Sequence, residues 1–512
     1  MNLTIIFVLL ALTAMVIALI YDKMRPGMIL FSVVVLFLCA GILSPKEAIE
    51  GFSNKGMITV ALLFLVSEGV RQSGALSDII KRLLPDKKTT VAQAQTRMLP
   101  AIAFISAFLN NTPVVVIFAP IIKRWAEKVK LPYTKFLIPL SYVTILGGIC
   151  TLIGTSTNLV VHGMILNEGM EGFSMFELGK VGIFIAIAGI IYILAFSNRL
   201  LPDSRPKTQD DEDEQTHFRK VEVVIGARFP GINRTVEEFD FHRHYGVDIR
   251  EIRRNGKQLT EELNQIRFKS NDTLILWADD TFIKTWSESS VFLLLVDKEE
   301  EKPGKKKRWF ALILLIMMIT GATIGELPVT KEAFPNIRLD MFFFVAVTTV
   351  IMAWTQLFPA KKYTKYISWD ILITIACAFA ISKAMSNSGF ADYIAAGIIS
   401  LSQHFGAHIL LAILFIITNL FTELITNNAA AALSFPIALA IAQQLGVDPR
   451  PFFVVICMAA STSFCTPIGY QTNLIVQGIG NYKFTDFVKI GLPLNIISFL
   501  ISVFLIPIFW PF

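Results

Sequence analysis

The sequence predicts a polytopic α-helical membrane protein built as two inverted repeats, each of five transmembrane helices plus one re-entrant hairpin, with a small α+β cytosolic domain inserted between them. Three observations predict it. Of 512 residues, 54% are hydrophobic and only 17% are charged, where a soluble domain carries about 25% charged residues. Charge-free runs long enough to cross a bilayer recur along the chain, and one motif occurs twice, 315 residues apart. This composition excludes an ordinary soluble enzyme. The 46 basic and 40 acidic residues form no basic stripe interleaved with aromatics, so no nucleic-acid partner is expected.

The elements follow in order from the rule that Lys and Arg mark cytoplasmic loops. Leu3 to Tyr21 reads as a retained first span, because no basic residue precedes it and Lys23 and Arg25 follow. The N-terminus is then outside. Met28 to Ser44 returns outward, and Met57 to about Arg71 comes back to a basic cytoplasmic stretch. Met98 to Ile122 is charge-free but is flanked by Arg97 on one side and Lys123, Arg124, Lys128 and Lys130 on the other. Both ends therefore face the cytoplasm. Asn110, Asn111, Thr112 and Pro113 at its centre would be costly in lipid, which predicts a re-entrant hairpin over about 98–122 with its tip buried in protein. Phe136 to Asn167 is charge-free for 32 residues and is interrupted by Gly147, Gly148 and the run Gly154-Thr155-Ser156-Thr157-Asn158. It predicts a broken helix, and Val181 to Leu200 completes the first repeat, 1–200.

Composition then changes. Residues 201–217 form an acidic linker, 218–298 a compact domain with strands at Val221–Ile225, Asp248–Arg253 and Thr273–Trp277, and 299–308 a basic linker. Turn signals at Pro230-Gly231 and Asn255-Gly256 separate the strands, with a helical piece at Thr235–Arg243. The second repeat, 309–512, has crossings at Trp309 to about Leu327, Met341–Phe358 and Ile371–Met385. A hairpin at about 409–442 follows, with Thr426, Asn427 and Asn428 at its centre, then a broken helix over Pro451–Tyr482 and a last span, Ile490–Phe509. Five crossings in the first half reverse the orientation of the second, leaving both termini outside and the insert in the cytoplasm.

Cys150–Gly163 reads CTLIGTSTNLVVHG and Cys465–Gly478 reads CTPIGYQTNLIVQG, with nine of 14 positions identical. An inverted repeat with broken helices predicts a secondary transporter whose site lies at the membrane midplane. Helix halves that start there offer N–H groups to an anion, and halves that end there offer carbonyls to Na⁺. No ATP-binding GxxxxGK[ST] run, Ser/His/Asp set or HExxH motif occurs, so neither a primary pump nor an enzyme is indicated. The cysteines at 39, 150, 377, 457 and 465 lie in apolar stretches without metal or disulfide spacing. His217, His242 and His244 lack such spacing too and read as solvated surface.

The tips Asn110-Asn111-Thr112 and Thr426-Asn427-Asn428, the latter preceded by Glu423, and the loop GGICTLIGTSTN resemble the signatures of the divalent anion/sodium symporter family. The NNTPVVV form is closest to its sulfate-transporting branch. That resemblance implies a sodium-coupled importer of a small inorganic anion or dicarboxylate, sulfate favoured, working in elevator fashion as a homodimer among the lipids of a cell inner membrane. It implies no organic cofactor. Carried over by position, it puts one sodium ion at Ser106, Asn110, Asn111 and Gly154, and a second at Thr422, Ile425, Asn427 and Gly469. The anion would be held by Asn111, Thr112, Thr155, Asn427, Asn428 and Tyr470. Residues 221–259 resemble the TrkA-C type of regulatory module, which implies dimerisation or a regulatory ligand. The rival readings are a dicarboxylate carrier and a proton-coupled carrier or exchanger, the latter needing Glu68 or Glu423 to titrate. A channel or membrane sensor is more remote, since the filter sequence TVGYG is missing.

Overall fold

The computed structural model describes residues 3–203 except 22 and 86–88, residues 219–294 except 227, 255, 256, 260, 261, 279–281, 283–285, 287, 288 and 290, and residues 305–512 except 334–337 and 402–405. The acidic linker beyond 203, His217, the Asn255-Gly256 turn and most of the basic linker lie outside the described residues.

The first half runs α1 (Leu3–Tyr21), α2 (Pro26–Cys39), α3 (Pro45–Glu50), α4 (Lys55–Gln72), α5 (Ala75–Leu83), α6 (Val91–Ser106), α7 (Asn111–Lys128), α8 (Thr134–Gly148), α9 (Ser156–Asn167) and α10 (Gly179–Leu200). The second runs α13 (Lys305–Gly325), α14 (Pro328–Ala333), α15 (Met341–Trp354), α16 (Trp369–Asn387), α17 (Phe390–Leu401), α18 (Gly406–Leu424), α19 (Asn427–Leu445), α20 (Arg450–Ser461), α21 (Gln471–Gly480) and α22 (Phe484–Phe509). Seven described helical segments are long and apolar enough to cross a membrane, and the chain is a multi-pass membrane protein.

The helices break at the four places the sequence indicates. Non-helical backbone separates α6 from α7 at 107–110, α8 from α9 at 149–155, α18 from α19 at 425–426, and α20 from α21 at 462–470. The expected span 28–44 is shorter than predicted. Left-handed Gly41 ends α2 near Cys39, and the reciprocal Ser44–Glu47 capping box then starts α3. Two short helices escaped the charge pattern: α5 carries Asp78, Lys81 and Arg82, and its counterpart α17 follows the third span of the second half. Each begins after a left-handed glycine, Gly74 or Gly389, where a side chain would be strained.

Helices of the two halves interlock. α2 packs on α16 and α15 on α4, while α7 and α8 meet α21, α9 meets α19 and α20, and α10 lies along α22. Each broken helix is anchored at its first turn by a cation on carbonyls. Lys135 Nζ donates to the Asn198 and Leu201 carbonyls at 2.7 and 2.5 Å. Arg450, 315 residues later, donates to the Glu171 and Gly172 carbonyls at 2.7 and 3.0 Å.

Between the halves, β1 (Arg219–Ile225), α11 (Val236–Phe239), α12 (Phe241–Tyr245), β2 (Asp248–Arg254), β3 (Lys257–Gln258), β4 (Thr273–Ala278) and β5 (Phe292–Leu294) form an antiparallel sheet in the order β3-β2-β4-β1-β5. The expected helix over 235–243 splits because Asp240 turns left-handed and caps α12. Alternation along β1 gives the sheet two buried faces. Val221, Val223 and Ile225 join Phe229, Phe239, Phe241, Phe268 and Phe292 in a separate aromatic core. Val224 points the other way and belongs to the core of the membrane helices. On that face the Lys123 ammonium meets the Glu222 carboxylate at 2.7 Å, and the Thr273 hydroxyl donates to the Gly478 carbonyl at 3.2 Å. At its edge, Arg228 donates to the Lys365 carbonyl at 2.7 Å and Asn233 to the Lys23 carbonyl at 3.3 Å. His242 has a carboxylate neighbour after all, Asp248 at 2.9 Å, and His244 stacks on Phe239. Among the described residues no group of three His, Cys, Asp or Glu side chains could hold a metal ion.

Arg450 also closes a fork on Glu177, at 2.8 and 2.7 Å, and Trp510 donates to the same carboxylate at 3.1 Å. Burial alone would raise the Glu177 carboxyl. The Arg450 fork and the Ser174 N–H outweigh it and hold the group below the ordinary carboxylate range. Its stabilising effect is therefore complete above that range, near pH 4.3, and is lost as pH falls through the lowered value. Arg450→Ala strands this carboxylate and is expected to cost about 2–4 kcal/mol. Melting curves of detergent-solubilised protein should show the loss at pH 7, with the gap to wild type narrowing below about pH 4.

Candidate functional site

A helix start leaves N–H groups without intrahelical partners, and a Ser, Thr, Asp or Asn side chain at the N-cap commonly accepts from one of them. Asn54 caps α4, Thr90 caps α6 and Asp340 caps α15, whereas α2, α5, α8, α10, α16 and α20 start without a side-chain cap. The four helices that begin at the breaks are of the second kind. The residues ahead of α7, α9, α19 and α21 are Asn110, Thr155, Thr426 and Tyr470, and none makes a side-chain cap.

These four starts meet across the halves. Thr112, on the first turn of α7, donates to Gln471 at the start of α21, 3.3 Å away. Asn428, on the first turn of α19, accepts from Ser156 and Thr157 at the start of α9, at 3.2 and 3.3 Å. The Tyr470 hydroxyl joins the two pairs. It lies 2.6 Å from the Asn111 amide and 3.0 Å from the Thr155 hydroxyl. The six residues expected to hold an anion are thus brought together.

The repeated motif explains how the breaks keep their shape. Thr151 and Thr466 each donate a hydroxyl to a tip carbonyl, of Ala107 and Glu423, and accept the N–H of Gly154 and Gly469 at 3.1 Å. Asn158 donates back to the Thr151 carbonyl at 2.9 Å, and Asn473 to the Thr466 carbonyl at 3.1 Å. The glycines permit the close approach: a Cβ on Gly469 would lie 2.7 Å from the Thr422 carbonyl, and one on Gly148 would lie 2.6 Å from the Asn111 amide.

Inside each tip sits an oxygen-rich pocket of the same design. Ser106 Oγ lies 2.8 Å from the Asn111 carboxamide, and Thr422 Oγ1 lies 2.8 Å from that of Asn427 and 2.7 Å from the Ala460 carbonyl. The Asn111 carboxamide can be seated two ways. Its inward atom is 2.9 Å from the Thr144 carbonyl and 3.3 Å from the Gly154 carbonyl. A nitrogen there donates to both while the oxygen accepts from Tyr470; an oxygen there leaves four oxygens facing one another. Near the second tip, Thr426 Oγ1, Ser461 Oγ and Ser463 Oγ are buried without a partner. Buried hydroxyls of this kind cost free energy unless something fills the site.

Two further residues expected at the tips lie as follows. Asn110 lines a small cavity beside the first tip, together with Ser67, Phe108 and Ser156. Ile425 sits at the second break with its N–H on the Phe421 carbonyl at 2.8 Å. Residues the sequence did not mark are the Thr144 and Ala460 carbonyls, Ser461, Ser463, Ser156 and Gln471. Ser156 and Gln471 were recoverable from the doubled motif, where they occupy one position. The carbonyls carry no signal in an apolar helix.

Glu423 serves the scaffold of the second break. Its carboxylate accepts the N–H groups of Cys465 and Thr466 at 3.0 and 2.8 Å and the Asn495 amide at 2.8 Å. Glu68 is held by Arg71 at 2.6 and 2.7 Å and by Gln72 at 2.5 Å.

The profile of the citrate transporter family matches residues 8–346 and 329–511. Uncharacterized transporter sll0640 of Synechocystis sp. is 29% identical over 554 residues, spanning 91% of this chain and 90% of its own. Sodium/sulfate cotransporter 2 of Chlamydomonas reinhardtii is 22% identical, spanning 93% and 86%. The crystal structure of the Alcanivorax borkumensis YdaH transporter aligns with a TM-score of 0.51 at 11% identity, over 91% of this chain and 88% of that one, a likeness of fold. The family and these relatives are transporters, not enzymes.

Glu423→Ala removes the acceptor of two loop N–H groups, with an expected cost of about 2–4 kcal/mol. Hydrogen exchange across 462–470 should rise while the first break, 149–155, stays protected.

Proposed function

The chain belongs to the citrate transporter family, and on that premise we propose that it is a sodium-coupled carrier of a small divalent anion, sulfate in preference to a dicarboxylate. The observation that carries this reading is the convergence of four uncapped helix starts. Each presents about half a positive charge, so together they offer roughly the two charges that a divalent anion needs. Thr112, Asn428, Thr155 and Tyr470 add neutral hydroxyl and amide groups. A site without Lys or Arg also lets its anion leave, as a carrier requires.

The oxygen-rich tips fit two sodium ions. At the first, Asn111 would turn its oxygen inward beside Ser106 and the Thr144 and Gly154 carbonyls. At the second, Thr422, Asn427 and the Gly469 region would serve with the unpartnered hydroxyls of Ser461 and Ser463. The same carboxamides that bind cations begin the helices that bind the anion, so filling the tips fixes the anion site. That is the coupling. Proton coupling is less well supported, because Glu423 and Glu68 are both engaged in holding the fold.

The two hairpins and two broken helices would move together against the remaining helices, in elevator fashion, within a homodimer in the cell inner membrane. Both termini would lie outside and the sheet domain in the cytoplasm, where a regulatory ligand could act on it. Labelled sulfate uptake into proteoliposomes should require a Na⁺ gradient and fall with K⁺ in its place. Asn111→Ala should lower it tenfold or more, since each lost ligand to a charge is worth about 1.5–3 kcal/mol. Uptake indifferent to both changes overturns the reading; uptake of succinate but not sulfate, with Na⁺ still required, moves the substrate to the dicarboxylates.

A further inference from the structure

The two copies of the motif differ at the position that precedes the second half-helix. The first has Thr155 and the second Tyr470. Among the positions that differ between the four helix starts, this one changes side-chain size most. Tyr470 is 8% exposed, and its ring carries the hydroxyl across to Asn111 and Thr155 of the other half. A threonine there has no ring to carry its hydroxyl across to Asn111, and would leave the volume of the ring open.

We propose that Tyr470 is the specificity-determining residue of the site, a rigid phenol that fills the room a second carboxylate would take and so admits a compact tetrahedral oxyanion while excluding di- and tricarboxylates. This rests on the anion-carrier reading above and deepens it. The ring sets size and the hydroxyl donates to the anion, and the two contributions separate chemically. Removing the hydroxyl alone leaves size exclusion in place; removing the ring opens the site.

The test is competition by sulfate, succinate and citrate for labelled sulfate uptake, with thermal shifts of the purified protein against each anion in Na⁺. Wild type should be protected by sulfate and ignore citrate. Tyr470→Thr, which copies the first motif, should raise the ratio of citrate to sulfate affinity about tenfold or more, while Tyr470→Phe should weaken sulfate severalfold with the ratio unchanged. An unchanged ratio in Tyr470→Thr, or the same ratio in both variants, overturns the proposal. If Tyr470→Thr does not fold, Tyr470→Leu, which keeps apolar bulk but shortens it, must raise the ratio. Wild type that ignores sulfate overturns the carrier reading itself, which is a different result.

A second inference comes from the sheet and is independent of Tyr470. One side of the sheet holds α7 and the end of α21 through Glu222–Lys123 and Thr273–Gly478, and another holds the α1–α2 and α15–α16 connections through Asn233–Lys23 and Arg228–Lys365. We infer that the sheet is a strut across the two bodies that the elevator reading sets in relative motion, and that it restrains transport. Breaking either end should then speed sulfate uptake about fivefold or more. The variants are Glu222→Ala with Thr273→Val at one end and Arg228→Ala at the other. Faster uptake in both supports the strut; no change in either, or a change in only one, overturns it. Loss of sodium dependence in wild type would instead count against the carrier.

Discussion

Breaking a helix inside a bilayer exposes backbone groups that lipid cannot satisfy, and the clasp of one threonine and one asparagine in each motif copy makes two such breaks tolerable. Thr151 and Thr466 tie each loop to the opposing hairpin tip, while Asn158 and Asn473 close each loop on itself. With the loops held this way, α9 and α21 must start where α19 and α7 start. Four helix starts without side-chain caps are then linked to one another through Thr112–Gln471, Asn428–Ser156 and the Tyr470 hydroxyl. The candidate site is thus a consequence of how the breaks are braced.

The bracing is nearly two-fold, and the departures are informative. Position 107 is alanine, but its counterpart Glu423 brings a carboxylate that takes two loop N–H groups and Asn495. The second loop, 462–470, is longer than the first and contains Pro467, which has no N–H of its own. The extra acceptor compensates for the looser loop. Asn111 and Asn427 keep equivalent places, each with a hydroxyl at 2.8 Å from one turn earlier. The hydroxyl–carboxamide pair is therefore duplicated, whereas the tyrosine hydroxyl that reaches Asn111 and Thr155 is single.

The soluble sheet shows the same economy. A strand with alternating faces normally turns one side to water, yet β1 buries both, the aromatic core on one side and the end of α21 on the other. The Lys123–Glu222 pair is less exposed than a surface ion pair, at 12% and 27% of each side chain, so solvent screens it less. Sheet and membrane helices thus share an interface that fixes how the insert sits.

Much of this was legible in the chain itself. Charge-free runs located the spans, and the Asn and Thr residues at their centres located both tips, because polar groups at such depth need protein around them. The doubled CTxIG…TN motif identified both breaks, and the residue types at the repeated positions are those the clasps use. The short helices α5 and α17, the early end of α2 at Gly41, and the two-sided burial of β1 were not legible. They depend on left-handed glycines and on neighbours remote in sequence. The same holds at the site. Amides and hydroxyls in apolar runs marked Asn111, Asn427 and Thr155, and the resemblance to a known family marked Tyr470. Only the tertiary structure decided that the Thr144 and Ala460 carbonyls face the tips, that Asn110 lines a small cavity beside the first tip, and that one tyrosine hydroxyl bridges both halves. Backbone carbonyls leave no trace in a sequence, and cross-half contacts arise from packing more than 300 residues apart.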